Sequence, residues 1–205
     1  MLGACSAARR IPEGEHLLTK NVVQIKDAKV DREELQVLVK QKPNRKVLFL
    51  RFHLGIYNLG DRLNLGGFSR WLKKIGEEPI LLDTMLAELT DRQFVLYMFR
   101  KGYFNASAGD TVIYQGKHKA KVVYEINGRQ PYSLRNLKFQ SKDMEINRIL
   151  KVDSVNTLLK TGDIYDEDVI DNERSRITAE LKNRGYYYFN RNYVNVFVDL
   201  SLIHI

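Results

Sequence analysis

Two stretches of this chain follow one pattern. Asp91-Arg92-Gln93-Phe94-Val95-Leu96-Tyr97-Met98-Phe99-Arg100-Lys101-Gly102-Tyr103-Phe104-Asn105 and Glu173-Arg174-Ser175-Arg176-Ile177-Thr178-Ala179-Glu180-Leu181-Lys182-Asn183-Arg184-Gly185-Tyr186-Tyr187 both read helix, basic residues, glycine, aromatic cluster. Aligned on Gly102 and Gly185, the offset is 83 residues. That period is too long for a solenoid repeat and suits two small tandem domains. The basic last turns complement the negative end of a helix dipole. Each glycine can take the left-handed conformation that ends a helix, and Tyr103, Phe104 and Tyr186 then fold back onto it. A repeat turn built on Gly102, Tyr103, Phe104, Gly185 and Tyr186 is therefore expected.

Charge and composition narrow the function classes. The net charge of +8 comes from 33 basic and 25 acidic residues spread along 205 positions. The basic clusters are short (Arg9-Arg10, Lys73-Lys74, Arg100-Lys101 and the 117–121 group), which argues for a solvated surface and against a nucleic-acid footprint. No segment approaches the roughly 20 apolar residues of a membrane-spanning helix. One cysteine excludes an internal disulfide, and His16, His53, His118 and His204 lack the spacing of a metal site, so no metal or cofactor is expected. Catalysis is not expected either. There is no nucleophile–base order and no phosphate-binding glycine loop, and the acidic run Asp163, Asp166, Glu167, Asp168, Asp171 simply opens a helix.

The two ends carry separate signals. Leu2-Gly3-Ala4-Cys5-Ser6 has the form of a bacterial lipobox, with Cys5 as the lipid attachment site, although the charged and apolar regions that precede such a site are missing. Leu200-Ser201-Leu202-Ile203-His204-Ile205 matches one reading frame of a transposase adapter used in sequencing libraries, so natural sequence is expected to stop near Asp199.

Between the ends, residues 1–16 read as lipobox and tether. A strand is expected over 17–30, then a helix capped by Asp31 in a capping box with Glu34 and carrying Leu35, Leu38 and Val39 inward. Residues 47–57 read as extended, and 58–76 as a long glycine-bearing connection with a short helix near 68–75. Asp83 or Thr84 opens a long helix with Leu86, Leu89, Phe94 and Met98 buried. Residues 111–115 and 120–126 alternate as a hairpin around Gly116, and Pro131 marks a boundary. The second copy reads as a strand over 132–139, a helix capped by Asp143 with Ile146, Ile149 and Leu150 inward, and a break at Gly162-Asp163. A helix over 166–184 follows, with Val169, Ile170, Ile177 and Leu181 inward, and then a strand over 193–198.

A repeated β-α-α-β-β unit of this size resembles the POTRA domains of the BamA/TamA family of outer-membrane protein assembly factors. The stretches that carry the resemblance are 11–21, Gln41-Lys42-Pro43-Asn44 with Ile56-Tyr57-Asn58, and Glu173-Arg174-Ser175-Arg176-Ile177 with Gly185-Tyr186-Tyr187-Tyr188-Phe189. They are similar to the lipoprotein branch. The resemblance implies an α+β fold of two tandem POTRA-like domains, 17–128 (with an inserted long loop) and 131–199, each a three-stranded sheet covered by two helices. The second would be truncated, with its last strand missing and 200–205 an adapter-derived tail.

The resemblance also implies a place on the periplasmic side of the outer membrane, held by the lipid anchor and by a C-terminal barrel that lies outside this chain. Implied partners are unfolded outer-membrane β-barrel proteins and a TamB-like inner-membrane protein. An alternative is a POTRA scaffold of another envelope system, a two-partner secretion transporter or a division protein. An open sheet edge offers unpaired N–H and C=O groups to an extended peptide. The expected edge strands are Thr111, Val112, Ile113, Tyr114 and Gln115, with Tyr193, Val194, Asn195 and Val196 as their counterpart.

Overall fold

The computed structural model describes residues 11–45, 52–63 and 66–198. The lipobox with Cys5 and the tail 200–205 lie outside them. The chain divides into two compact units, 1–99 with 105–130, and 100–104 with 131–205.

The first unit is mixed α+β. A strand β1 (Leu17–Lys26) is followed by helices α1 (Arg32–Leu38), α2 (Phe52–Leu63), α3 (Gly67–Ile75) and α4 (Thr84–Arg100). Strands β2 (Ser107–Tyr114) and β3 (Lys119–Asn127) complete it. The sheet runs β1-β3-β2, with β1 parallel and β2 antiparallel to β3. Side chains alternate across it: Ala120, Val122, Tyr124 and Ile126 are buried, while Lys119, Lys121 and Glu125 lie on the more open face. Phe94 of α4 meets Tyr124 edge-on, with ring centroids 5.4 Å apart.

Caps explain the helix starts. Asp31 accepts from the Glu33 N–H, and Asp83 from the Met85 and Leu86 N–H groups. Glu34 does not complete a capping box; its carboxylate accepts from the Tyr97 hydroxyl at 2.7 Å.

The sequence reading of 47–76 needs correction. The described part is a helical hairpin: the short helix expected near 68–75 forms as α3, but 52–63 is helix α2 in place of an extended stretch and a connection. Two of the glycines that suggested a loop, Gly60 and Gly76, are packing positions. A Cβ at Gly60 would lie 2.8 Å from Leu72 Cβ, and one at Gly76 would lie 2.5 Å from the Tyr57 nitrogen. Ser69 hydroxyl also donates to the Gly60 carbonyl. The hairpin's root is buried: Leu54 packs with Ile11 and Leu17.

The second unit contains α5 (Met144–Asp153) and α6 (Glu167–Asn183), capped by Asp143 and Asp166. No multi-residue strand forms among its described residues. Residues 132–134 pair with 162–165 through single bonds such as Leu134 N–H to Asp163 C=O, which ends at the bridge Ser133–Ile164. Residues 191–193 form a 3-10 turn and 194–198 are irregular. The expected strands 132–139 and 193–198 are therefore corrected. Alternating Val194, Val196 and Val198 suit a strand, but a strand requires a ladder partner and none is presented to them among the described residues. Val169 and Leu89, expected inward, are exposed.

The repeat nevertheless survives in the helices. α4 and α6 are both 17 residues long and related by the 83-residue offset at both ends. Their buried positions correspond one for one: Ala87, Thr90, Phe94 and Met98 with Ile170, Glu173, Ile177 and Leu181. The polar member plays the same part in each. Thr90 Oγ1 accepts from the Lys40 N–H, two residues past α1, while Glu173 accepts from the Leu158 N–H and the Thr157 hydroxyl just past α5. Glu173 also pairs with Arg176, which reaches Asp153.

Burial pushes the Glu173 carboxyl up, but the bonds from Arg176, Leu158 and Thr157 outweigh it and hold it below the usual range. Its stabilisation is therefore present at neutral pH and lost as pH falls through and below the ordinary carboxylate range. Glu173→Ala strands Arg176 beside Asp153 and should cost about 3 kcal/mol in urea unfolding at pH 7. Thr90→Ala should cost about 1 kcal/mol. Equal costs for the two would show that the buried charge adds nothing to the clamp.

Candidate functional site

In a β1-β3-β2 sheet the outer strands are β1 and β2, and their two edges differ. The start of β1 is covered: the Leu18 N–H donates to the Ile80 carbonyl, the Leu82 N–H to the His16 carbonyl, and Leu17 bridges Leu81. That cover is pinned by side-chain amides. Asn44, 2% exposed, donates to the Glu78 carbonyl and accepts from the Ile80 N–H. Gln41 donates to the Leu81 carbonyl and accepts from the Asp83 N–H.

The β2 edge has no such cover among the described residues. The Gln115 N–H bonds the Lys119 carbonyl at 2.7 Å, which sets the phase of the antiparallel ladder. Ser107, Gly109, Thr111 and Ile113 therefore direct their backbone groups to β3, and Ala108, Asp110, Val112 and Tyr114 direct theirs outward. The predicted edge residues separate accordingly. Val112 and Tyr114 present outward N–H and C=O groups. Thr111 and Ile113 use theirs in the ladder and show their side chains on the open face. Gln115 lies one residue past the strand, with its side chain accepting from Thr19. The Tyr114 ring rests 4.5 Å from the His16 ring.

The outward position at Asp110 is occupied from within. Asp91 of α4 lies beside it, and its carboxyl is pushed up to about 7, first by burial and then by the Asp110 carboxyl, against the opposing effect of the Asp110 backbone N–H. Asp91 Oδ1 is buried without a hydrogen-bond partner among the described residues. No residue pattern marks Asp91 for this role; its approach to Asp110 is visible only in the fold.

The second predicted edge is not assembled. Tyr193 ends the 3-10 turn, and the Val194 carbonyl accepts from Arg174 Nε at 3.0 Å. Arg191 pairs with Asp171, so this segment is docked on α6 by polar contacts. Asn195 and Val196 lie in the irregular stretch that follows.

Gly102 and Gly185 occupy matching places, two residues past their helices, with φ of 84° and 99°. After α6 the Gly185 N–H bonds the Lys182 carbonyl and the Tyr186 N–H bonds the Leu181 carbonyl. Gly102 is also sterically required, since a Cβ there would lie 2.5 Å from the Tyr165 carbonyl oxygen. Tyr103 is buried, and Phe104 packs edge-on to Tyr132 at 5.0 Å. Tyr186 is half-buried. No three His, Cys, Asp or Glu side chains gather into a metal-binding group among the described residues.

Comparison with known proteins adds little. No family model and no curated protein matches. Among solved structures the chain is similar to one described as Haemophilus influenzae BamA POTRA3-5, at 12% identity, covering 86% of this chain and 89% of that one, with a TM-score of 0.29. At that superposition the likeness lends no weight to fold or function.

Asp91 makes stability fall as pH rises. Its carboxyl takes up a proton in the folded state at a pH where the unfolded chain has released it, so folding is favoured at acid pH and that advantage disappears as pH passes about 7. Thermal unfolding of Asp91→Asn should show a gain of about 1 kcal/mol over the parent at pH 8, after solvent screening, and little gain at pH 5. An equal gain at both pH values would mean that Asp91 is not carrying the proton.

Proposed function

We propose that this chain is a POTRA-type partner-binding arm on the periplasmic side of the bacterial outer membrane, and that it takes extended polypeptide by strand addition to β2. The open outward groups of Val112 and Tyr114 carry this reading. The β-α-α-β-β order of the first unit, with two further helices inserted, supports the POTRA assignment, as do the matching helices of the second unit. Backbone hydrogen bonds tolerate any client sequence, which suits unfolded β-barrel proteins as partners. A fixed partner such as a TamB-like protein would use the same groups. The arm works as a scaffold, without catalysis.

The direction of each backbone group makes the test specific. Proline at Val112 removes an outward N–H and leaves the ladder to β3 intact; proline at Ile113 removes a ladder bond. Val112→Pro should weaken binding of an unfolded barrel-strand peptide roughly tenfold with little change in melting temperature. Ile113→Pro should lower the melting temperature instead. Peptide affinity unchanged in Val112→Pro would sink strand addition at this edge, and crosslinks mapping to Arg92 on α4 would replace it with a helix-face mode.

Anchoring is a separate part of the proposal. Acylation of Cys5 would hold the arm at the membrane, and stable attachment needs more than one acyl chain, as a bacterial lipoprotein bears. Cells fed a palmitate analogue should label the parent protein and spare Cys5→Ala; equal labelling of the two would remove the lipoprotein assignment.

A further inference from the structure

The α2–α3 hairpin contributes nothing to the sheet, yet it displays a row of large apolar side chains. On α3, Phe68, Trp71 and Ile75 are 52%, 54% and 45% exposed, with the Phe68 and Trp71 rings stacked at 5.7 Å. On α2, Phe52, Leu59 and Leu63 are likewise exposed. At about 100° of rotation per residue, each set forms one stripe along its helix. The helices meet through Gly60 against Ser69 and Leu72 and through Tyr57 against Gly76, an antiparallel arrangement. Both stripes lie the same way round from that contact, so they share one face of the hairpin.

Charge distinguishes what would cover this face. The described hairpin carries Arg62, Arg70, Lys73 and Lys74 against Asp61, which is already paired with Lys73. Arg62 lies about 60° around α2 from Leu59 and Lys74 about 60° around α3 from Trp71, so they border the two stripes on their outer sides, exposed and with no carboxylate partner among the described residues. Apolar side chains with an aromatic pair at the centre and cations along the border match a helix lying in a lipid headgroup layer. At 12 and 9 residues, neither α2 nor α3 is long enough to cross a membrane, so contact would be peripheral.

We infer that the α2–α3 hairpin is a membrane-surface foot that seats on anionic lipid through Phe68, Trp71, Ile75 and the α2 stripe, with Arg62 and Lys74 meeting the headgroups. Its setting rests on the proposed placement at the outer membrane. The root of the hairpin adds a geometric reason, because Leu54 packs on Ile11. Cys5 lies six residues before Ile11, a reach of roughly 20 Å at most. An acylated Cys5 and the foot would therefore meet the same membrane.

Trp71 is the chain's single tryptophan, so its fluorescence reads the foot directly. The experiment uses the full chain carrying Cys5→Ala, which separates the foot from any lipid anchor. Vesicles of phosphatidylethanolamine with phosphatidylglycerol should shift Trp71 emission to the blue and carry the protein in flotation, with binding that weakens as salt rises. Arg62→Gln with Lys74→Gln should weaken it roughly 25-fold, about fivefold per cation. Phe68→Ser with Ile75→Ser should weaken it on the order of tenfold while leaving the circular dichroism melt unchanged, since both side chains are exposed. Emission unmoved by vesicles overturns the proposal. So does binding indifferent to lipid charge and to the Arg62/Lys74 change. A blue shift that grows with protein concentration without lipid overturns it in favour of a second copy covering the face.

Discussion

Each unit is organised by one helix whose inward face is fixed at four positions, three apolar and one polar. The apolar residues bind without direction; they favour burial but do not choose a register. The polar one does choose. A buried acceptor without a donor is costly, so Thr90 must find the Lys40 N–H and Glu173 must find Leu158 and Thr157. That requirement places the chain leaving the first helix against the middle of the second. The hydroxyl and the carboxylate differ in strength, and the second unit adds Arg176 and Asp153 to balance a charge the first unit does not bury. The same geometric task is thus performed by a neutral bond where a sheet completes the core, and by an ion-pair cluster where no sheet forms among the described residues.

This division explains what could be read from the sequence. Helix phase is local, set by 3.6-residue periodicity and by aspartate caps, so α1, α4, α5 and α6 and the glycine turns could be placed from residue patterns alone. The strands expected at 17–30, 111–115 and 120–126 were legible in their apolar parts, but β1 ends at Lys26 and β2 begins at Ser107, since Ala108-Gly109-Asp110 carries no strand signal of its own. Residues 193–198 alternate as well, and failed for a non-local reason: pairing depends on what the rest of the chain offers, and Arg174 and Asp171 hold this segment by polar bonds instead. The hairpin was hidden by its glycines. Gly60 and Gly76 look like loop residues in one dimension, whereas in the fold they allow two helices to approach.

The candidate edge was legible only by region. Period-two alternation identifies which side chains share a face, but not which backbone groups point outward. That depends on the phase of the ladder, here fixed by one bond from Gln115 to Lys119 beside the turn at Gly116. A shift of one residue would exchange the roles of Val112 and Ile113. Asp91 was invisible for a similar reason, since its partner Asp110 is distant in sequence and approaches only when α4 lies across the sheet.

The inserted hairpin bears on why the two sheet edges are so unlike. An insertion between α1 and α4 must leave the domain and return, and its two connecting segments carry backbone groups that need partners. Gln41 and Asn44 supply them with amide side chains, each both donor and acceptor, and so bind the outgoing segment to the returning one at 78–83. The returning segment in turn takes the Leu18 N–H and covers the start of β1. The insertion thereby covers the start of the β1 edge as a consequence of its own closure. Under the proposed reading, strand addition therefore falls to β2, where Asp91 occupies the Asp110 position and leaves Val112 and Tyr114 as the outward pair on the side of the Gly116 turn.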